Sequence, residues 1–117
     1  MFKEMTIQFR VSNIKEGLNW YQTLLKRKPD FIPHEGFAEW ELVKGSWLQV
    51  AEGDPSSGCG PLRVGVNNIE MERSRLINEL GIEPFEIYSR EGVPVKWATF
   101  SDPWGNQLGF FEYLEKD

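Results

Sequence analysis

The sequence predicts an α+β fold of two tandem βαβββ modules forming a curved mixed sheet, with the helices on its outer face. Three observations predict it. An alternating strand near the N-terminus leads into a capped amphipathic helix, two further alternating strands follow around a glycine turn, and the whole pattern then restarts about 55 residues on. With 117 residues the chain has the size of one domain. The expected organisation is a single domain, 1–117, with module one at about 1–53 and module two at about 60–117.

In residues 6 to 11, Ile7, Phe9 and Val11 are apolar while Thr6, Gln8 and Arg10 are polar, the period of a half-buried strand. Asn13 stands where a helix N-cap belongs and Glu16 follows three residues on, as in a capping box. Ile14, Leu18, Tyr21 and Leu25 form one apolar stripe of a helix running to about Arg27, before Pro29. A Pro-containing loop holding His34, the only histidine, leads to two strands at about Ala38 to Val43 and Trp47 to Ala51, joined by Lys44-Gly45-Ser46.

After a Gly/Ser/Pro-rich stretch from Gly53 to Pro61, Leu62, Val64 and Val66 alternate and Asn68 caps. Ile69, Leu76, Ile77 and Leu80 then stripe a second helix that ends at Gly81. An offset of 55 carries Ile7, Phe9, Val11, Asn13, Ile14, Tyr21 and Leu25 onto Leu62, Val64, Val66, Asn68, Ile69, Leu76 and Leu80. Later the offset is 60, matching Trp40 with Phe100, Gly45 with Gly105, Leu48 with Leu108 and Val50 with Phe110, so the second copy has about five extra residues near Ser89 to Pro94.

A module of about 55 residues buries too little apolar surface to stand alone, so the two combine. With the helices covering Ile7, Phe9, Val11, Leu48, Val50, Leu108 and Phe110, the opposite face carries Thr6, Gln8, Arg10, Glu39, Glu41, Trp47, Gln49, Trp97, Thr99, Phe111 and Tyr113. Such a mixture of aromatic and polar groups is what a sheet lining a ligand cup shows.

Composition narrows the function classes. A hydrophobic fraction of 40% with 26% charged residues excludes disorder, collagen-like structure and coiled coil. Thirteen basic against eighteen acidic residues, a net charge of -5, remove the electrostatic basis for binding nucleic acid or an anionic membrane. A small neutral or cationic ligand fits that field better. Cys59 is the only cysteine, which leaves no internal disulfide. The first residues lack the apolar run of a signal peptide and no stretch approaches the roughly 20 apolar residues of a membrane span, so a cytoplasmic address is expected. Five Trp among sixteen aromatic residues exceed what so small a core needs, which points to an apolar ligand.

The architecture, Val11-Ser12-Asn13 followed by Trp20-Tyr21 in the first helix, and Asp102-Pro103-Trp104-Gly105-Asn106 before the last strand together resemble the vicinal oxygen chelate superfamily. That superfamily comprises glyoxalases, bleomycin-resistance proteins and extradiol dioxygenases, and the resemblance covers nearly the whole chain. Where the family usually has Asp in the middle of the turn, Trp104 stands here. The turn has its own physical reason, since Pro103 presets φ and Gly105 and Asn106 tolerate positive φ. The resemblance implies metal-ligand positions five residues before Val11, five before Val66, in the strand after Gly45, and three after Asn106. These read Thr6, Pro61, Gln49 and Gly109. Pro61 and Gly109 have no side-chain donor, and Thr6 and Gln49 offer only weak neutral oxygen, so no metal and no cofactor is expected.

Each remaining candidate has a plain reading beside a functional one. His34 is a solvated loop histidine, or a base or ligand. Glu39 and Glu41, two apart on one strand, are exposed carboxylates, or share a proton so that one acts as base. Arg10 pairs with one of them, or clamps a ligand carboxylate. Cys59, between glycines, reads as an incidental thiol. Trp20, Tyr21, Trp40, Phe100 and Phe110 fall on the helix side as core. Trp47, Trp97, Phe111 and Tyr113 fall on the other side, where each either packs against its neighbours or a second subunit, or stacks a ring or cation for roughly 0.5 to 2 kcal/mol. Trp104 belongs at the rim.

The first functional reading is a metal-free binding protein that sequesters a planar or cationic ligand in the aromatic-lined cup. Trp47, Trp97, Phe111 and Tyr113 enclose the ligand, Glu39 and Glu41 attract positive charge, and Gln49, Thr99 and Arg10 hydrogen-bond it. The resemblance also implies a homodimer. The second reading is a glyoxalase-like lyase or isomerase, or a dioxygenase, with non-standard ligands drawn from His34, Glu39, Glu41 and Gln49. The third is a structural or partner-binding role in which another chain closes the cup.

Overall fold

The computed structural model describes residues 1–55 and 59–114. In chain order its elements are β1 (Met5–Val11), α1 (Ile14–Leu25), β2 (Phe31–His34), β3 (Phe37–Val43), β4 (Ser46–Glu52), β5 (Leu62–Gly65), α2 (Ile69–Leu80), β6 (Ile87–Tyr88), β7 (Val95–Ser101) and β8 (Gln107–Tyr113). These are two βαβββ modules, α+β in class. They fall in two compact units, Met1–Ser57 and Gly58–Asp117. Each unit holds one four-stranded mixed sheet, ordered β1-β4-β3-β2 and β5-β8-β7-β6. In each the first and last strands pair in parallel at one side, and the remaining pairs are antiparallel. Part of the Gly/Ser/Pro-rich stretch expected between the modules, 56–58, lies outside the described residues.

In module one, Phe9, Val11, Leu48, Val50, Ala38 and Trp40 are buried together with Tyr21 and Leu24 of α1. Burial of each large side chain of this set contributes roughly 1.5–3 kcal/mol. Asn13, extended at φ -141, accepts from the Glu16 N–H at 3.1 Å, and the Glu52 carboxylate of β4 accepts from the Ile14 N–H at 2.9 Å. Two of the helix's free N–H groups are thereby satisfied. The apolar stripe differs from the expected one. Gly17, Tyr21 and Leu24 are fully buried, whereas Ile14, Leu18 and Leu25 are half-buried. Gly17 causes this rotation of the contact line: a Cβ there would fall 2.8 Å from Val11 Cγ2, so only glycine lets the helix approach β1 so closely.

His34 does not lie in a loop but ends β2, which pairs with β3 at the sheet edge. An edge strand tolerates Pro33 because the missing N–H leaves no interior ladder bond unmade. Arg27, past the end of α1, holds the entry to this strand. It donates to both oxygens of Asp30, each at 2.9 Å, and to the Glu41 carbonyl oxygen, while its own carbonyl accepts from Trp40 Nε1 at 3.0 Å.

Module two repeats the scheme. Ile69 and Leu76 of α2 are buried with Ala98, Phe100, Leu108 and Phe110. Asn68 accepts from the Met71 N–H at 3.0 Å and Glu112 from the Ile69 N–H at 2.7 Å. The helix ends at Gly81, φ 64, whose N–H donates to the Ile77 carbonyl at 3.1 Å. Asp102 organises the turn into β8. Its carboxylate, buried with Asn106, accepts from the Trp104 N–H, the Asn106 N–H and Asn106 Nδ2 at 2.8–2.9 Å. Trp104 itself is half-buried. Among the described residues no helix is long and apolar enough to cross a membrane.

Candidate functional site

Strand alternation leaves one face of each sheet away from its helix, and the register decides which side chains meet there. In module one the central row is Gln8, Gln49 and Glu39 on β1, β4 and β3. Gln8 Nε2 donates to Gln49 Oε1, and Gln49 Nε2 donates to Glu39 Oε2, both at 3.3 Å. One row nearer the hairpin stand Thr6, Trp47 and Glu41. Trp47 Nε1 donates to Glu4 at 2.8 Å and its ring lies 5.8 Å from that of Phe31. On the other side stand Arg10, Ala51 and Phe37, with the Arg10 stem lying over Gly53.

The register therefore gathers Thr6, Arg10, Glu39, Glu41, Trp47 and Gln49 on one face. It gives the two carboxylates different work. Glu39 meets Gln49, whereas Glu41 accepts from the Gly45 N–H at 2.8 Å and stabilises the hairpin turn. His34 stands at the edge opposite Phe37, its ring 5.2 Å from that of Phe37 and its Nδ1 2.9 Å from the Glu35 carbonyl oxygen. Beside the sheet, the backbone N–H of Glu41 and the guanidinium of Arg27 hold the Asp30 carboxyl below its ordinary value of 3.8.

In module two the corresponding row is Arg63, Gly109 and Thr99 on β5, β8 and β7. Arg63 reaches across β8 and donates to Thr99 Oγ1 from Nη2 at 2.9 Å and from Nε at 3.3 Å. Gly109 makes the crossing possible, because a Cβ there would lie 3.0 Å from Arg63 Cγ. The next row is Gly65, Phe111, Trp97 and Tyr88. Phe111 lies over Gly65, the Tyr88 and Trp97 rings are 6.1 Å apart, and Tyr113 meets Phe111 edge-on at 5.9 Å.

This geometry has close counterparts among solved structures. A glyoxalase / bleomycin resistance protein from Catenulispora Acidiphila DSM 44928 superposes with a TM-score of 0.75 at 28% identity, over 93% of this chain and 96% of the other. The fosfomycin resistance protein FosX from Listeria monocytogenes does so with a TM-score of 0.71 at 14% identity, over 93% and 89%. Lactoylglutathione lyase from Agrobacterium tumefaciens gives 0.71 at 14%, over 92% and 91%. The chain shares the fold of these glyoxalase / bleomycin resistance / dioxygenase proteins, the fold of the vicinal oxygen chelate superfamily. No protein-family model and no curated protein matches its sequence.

The metal positions that the superfamily implies do not fit a divalent ion in this chain. Pro61 lies outside β5, after a cis peptide bond from Gly60. At Gly109 a Cβ would stand 2.2 Å from the Ala98 carbonyl oxygen, so the backbone is closed to any ligating side chain there. Gln49 is bonded on both sides within its row, and Thr6 is a neutral hydroxyl beside Trp47. Among the described residues no three His, Cys, Asp or Glu side chains come close enough to hold a metal ion.

Residues of these faces that the sequence does not single out include Arg63, Glu4, Phe31, Phe37 and Tyr88. For Arg63 a signal existed, since the offset of 55 carries Gln8 onto it and the polar phase between Leu62 and Val64 puts it on the exposed face.

Proposed function

We propose that this chain is a metal-free small-molecule binding protein of the vicinal oxygen chelate superfamily, sequestering a planar or cationic ligand against the exposed faces of its sheets. The observation that carries the reading is the closure of Gly109 to any side chain, 2.2 Å from the Ala98 carbonyl, together with the weak donors at the other metal positions. Without a metal the superfamily's shared way of polarising vicinal oxygens lacks its electrophile, and what remains is recognition. Half-buried Trp47, Trp97 and Phe111 offer flat apolar surface, and Glu39, held by a single hydrogen bond from Gln49, supplies negative charge for a cation. The homodimer implied by the resemblance belongs to the same reading.

Two titrations test it. Calorimetry with Zn²⁺, Mn²⁺ and Ni²⁺ is expected to give no stoichiometric binding. Quenching of Trp fluorescence by neutral and cationic ring compounds is expected to be the same with and without chelator. A divalent ion bound one to one, or quenching abolished by chelator, sinks the proposal.

A further inference from the structure

Arg63 is bound differently from Arg27 and Arg75, which pair with carboxylates, and like Arg73 it meets only neutral partners among the described residues. Arg27 gives its guanidinium to Asp30 and to the Glu41 carbonyl, Arg73 donates to the Phe85 carbonyl and covers the Phe85 ring, and Arg75 pairs with Glu72 and Glu79. Among the described residues no carboxylate pairs with Arg63. Its two contacts both go to one neutral oxygen, Thr99 Oγ1.

That arrangement fixes the guanidinium with no counter-charge on it among the described residues. A guanidinium has five N–H groups in a rigid fork. With Nε and one Nη2 hydrogen on Thr99, three remain, and they include the outer Nη1–Nη2 edge that takes a carboxylate in two parallel bonds. Gly109 beneath the stem puts no side chain of its own on β8 between Arg63 and Thr99. One residue pair along the strands, roughly 7 Å away, stands the aromatic row of Phe111, Trp97 and Tyr88. That is about the separation between a carboxylate and the far part of a two-ring aromatic system attached to it.

We infer that the exposed face of module two recognises a planar aromatic carboxylate, its acid on the Arg63 fork and its rings along Phe111 and Trp97. The inference rests on the small-molecule binding reading above and names one ligand class for it. Arg63 pairs in register with Gly109, one of the metal positions that the resemblance implies. Thr99 acts as a positioning residue, holding the plane of the fork.

The test uses matched two-ring probes on the full chain: 2-naphthoate and its uncharged amide 2-naphthamide, followed by Trp quenching and calorimetry. Wild type is expected to prefer the acid by about 10-fold or more, the scale of a charge-assisted bidentate contact. Arg63→Gln should remove that preference, weakening the acid about 10-fold or more and the amide much less. Arg63→Lys keeps the charge without the fork and should restore only part of the preference, and Thr99→Val should weaken the acid alone. Arg63 is exposed, so these variants fold, and circular dichroism checks it. If both probes bind and Arg63→Gln leaves the acid preference intact, or if wild type shows none, the carboxylate assignment is overturned while ring binding stands. If neither these nor cationic ring probes bind, the assignment falls together with the reading beneath it.

Discussion

The same three positions carry opposite chemistry in the two modules. In module one Gln8, Gln49 and Glu39 form a hydrogen-bonded ladder across three strands, each side chain supported by the next. In module two an arginine spans the same three strands alone, because the middle residue is Gly109 and the last is only a hydroxyl. The aromatic neighbours differ too. Trp47 flanks the first row on the hairpin side, and Phe111 and Trp97 flank the second on the other side. One backbone plan thus presents an acidic, amide-rich face and a cationic, ring-lined face. The difference is made by the three side chains of one row, Gln8, Gln49 and Glu39 against Arg63, Gly109 and Thr99, not by a change of topology.

The most damaging way to break the comparison is to give module two the side chain that module one has. Gly109→Ala should destabilise by about 3 kcal/mol or more, because the new Cβ meets a backbone carbonyl that cannot yield without opening the β7–β8 ladder. The converse, Gln49→Gly, removes one ladder member and should cost far less. Urea denaturation of both variants checks the asymmetry, and near-equal losses would contradict it.

A gentler exchange concerns the ends of the helices. Lys26 and Gly81 occupy equivalent left-handed positions, at φ 65 and φ 64. A residue with a Cβ is strained there, so Lys26→Gly should stabilise by about 0.5–1 kcal/mol and Gly81→Lys should cost a similar amount. Thermal melts of the two variants should move in opposite directions. Smallest of all is a pH effect confined to module one. The folded pKa of Asp30 is below its ordinary value of 3.8, so its stabilising contribution is fully present above 3.8 and is lost as pH falls through the lower folded value. Asp30→Asn should therefore be less stable than wild type at neutral pH and converge with it at the acid end. Its surface position keeps the gap small.

The modules were legible because their evidence is local. Alternation in Ile7, Phe9 and Val11 and the caps Asn13 and Asn68 are each read within a few residues, and the second copy repeats them at an offset of 55 that later becomes 60. What escaped depends on partners far along the chain. From sequence His34 reads as a loop residue, because Pro33 speaks against a strand unless the strand is known to be an edge. Arg63 reads as an ordinary polar strand residue until β8 is seen to place a glycine beside it, 46 residues later. The buried stripe of α1 lies a fraction of a turn from the apolar stripe of the sequence, because Gly17 has no hydrophobicity to announce its contact with Val11. Glu39 and Glu41 look like a pair in sequence, and the hairpin turn takes one of them.

The carboxylates of Glu52 and Glu112 have a further consequence. Each comes from the last strand of its module and caps the first turn of that module's helix, joining residues 38 and 43 positions apart. The chain of each module is thereby tied end to beginning, and a fragment that stops after the third strand would expose a helix start with its acceptor missing. The smallest piece of this protein that can be duplicated or shuffled with its hydrogen bonding intact is the complete βαβββ motif. Gene duplication acting on anything shorter would have copied an open circuit.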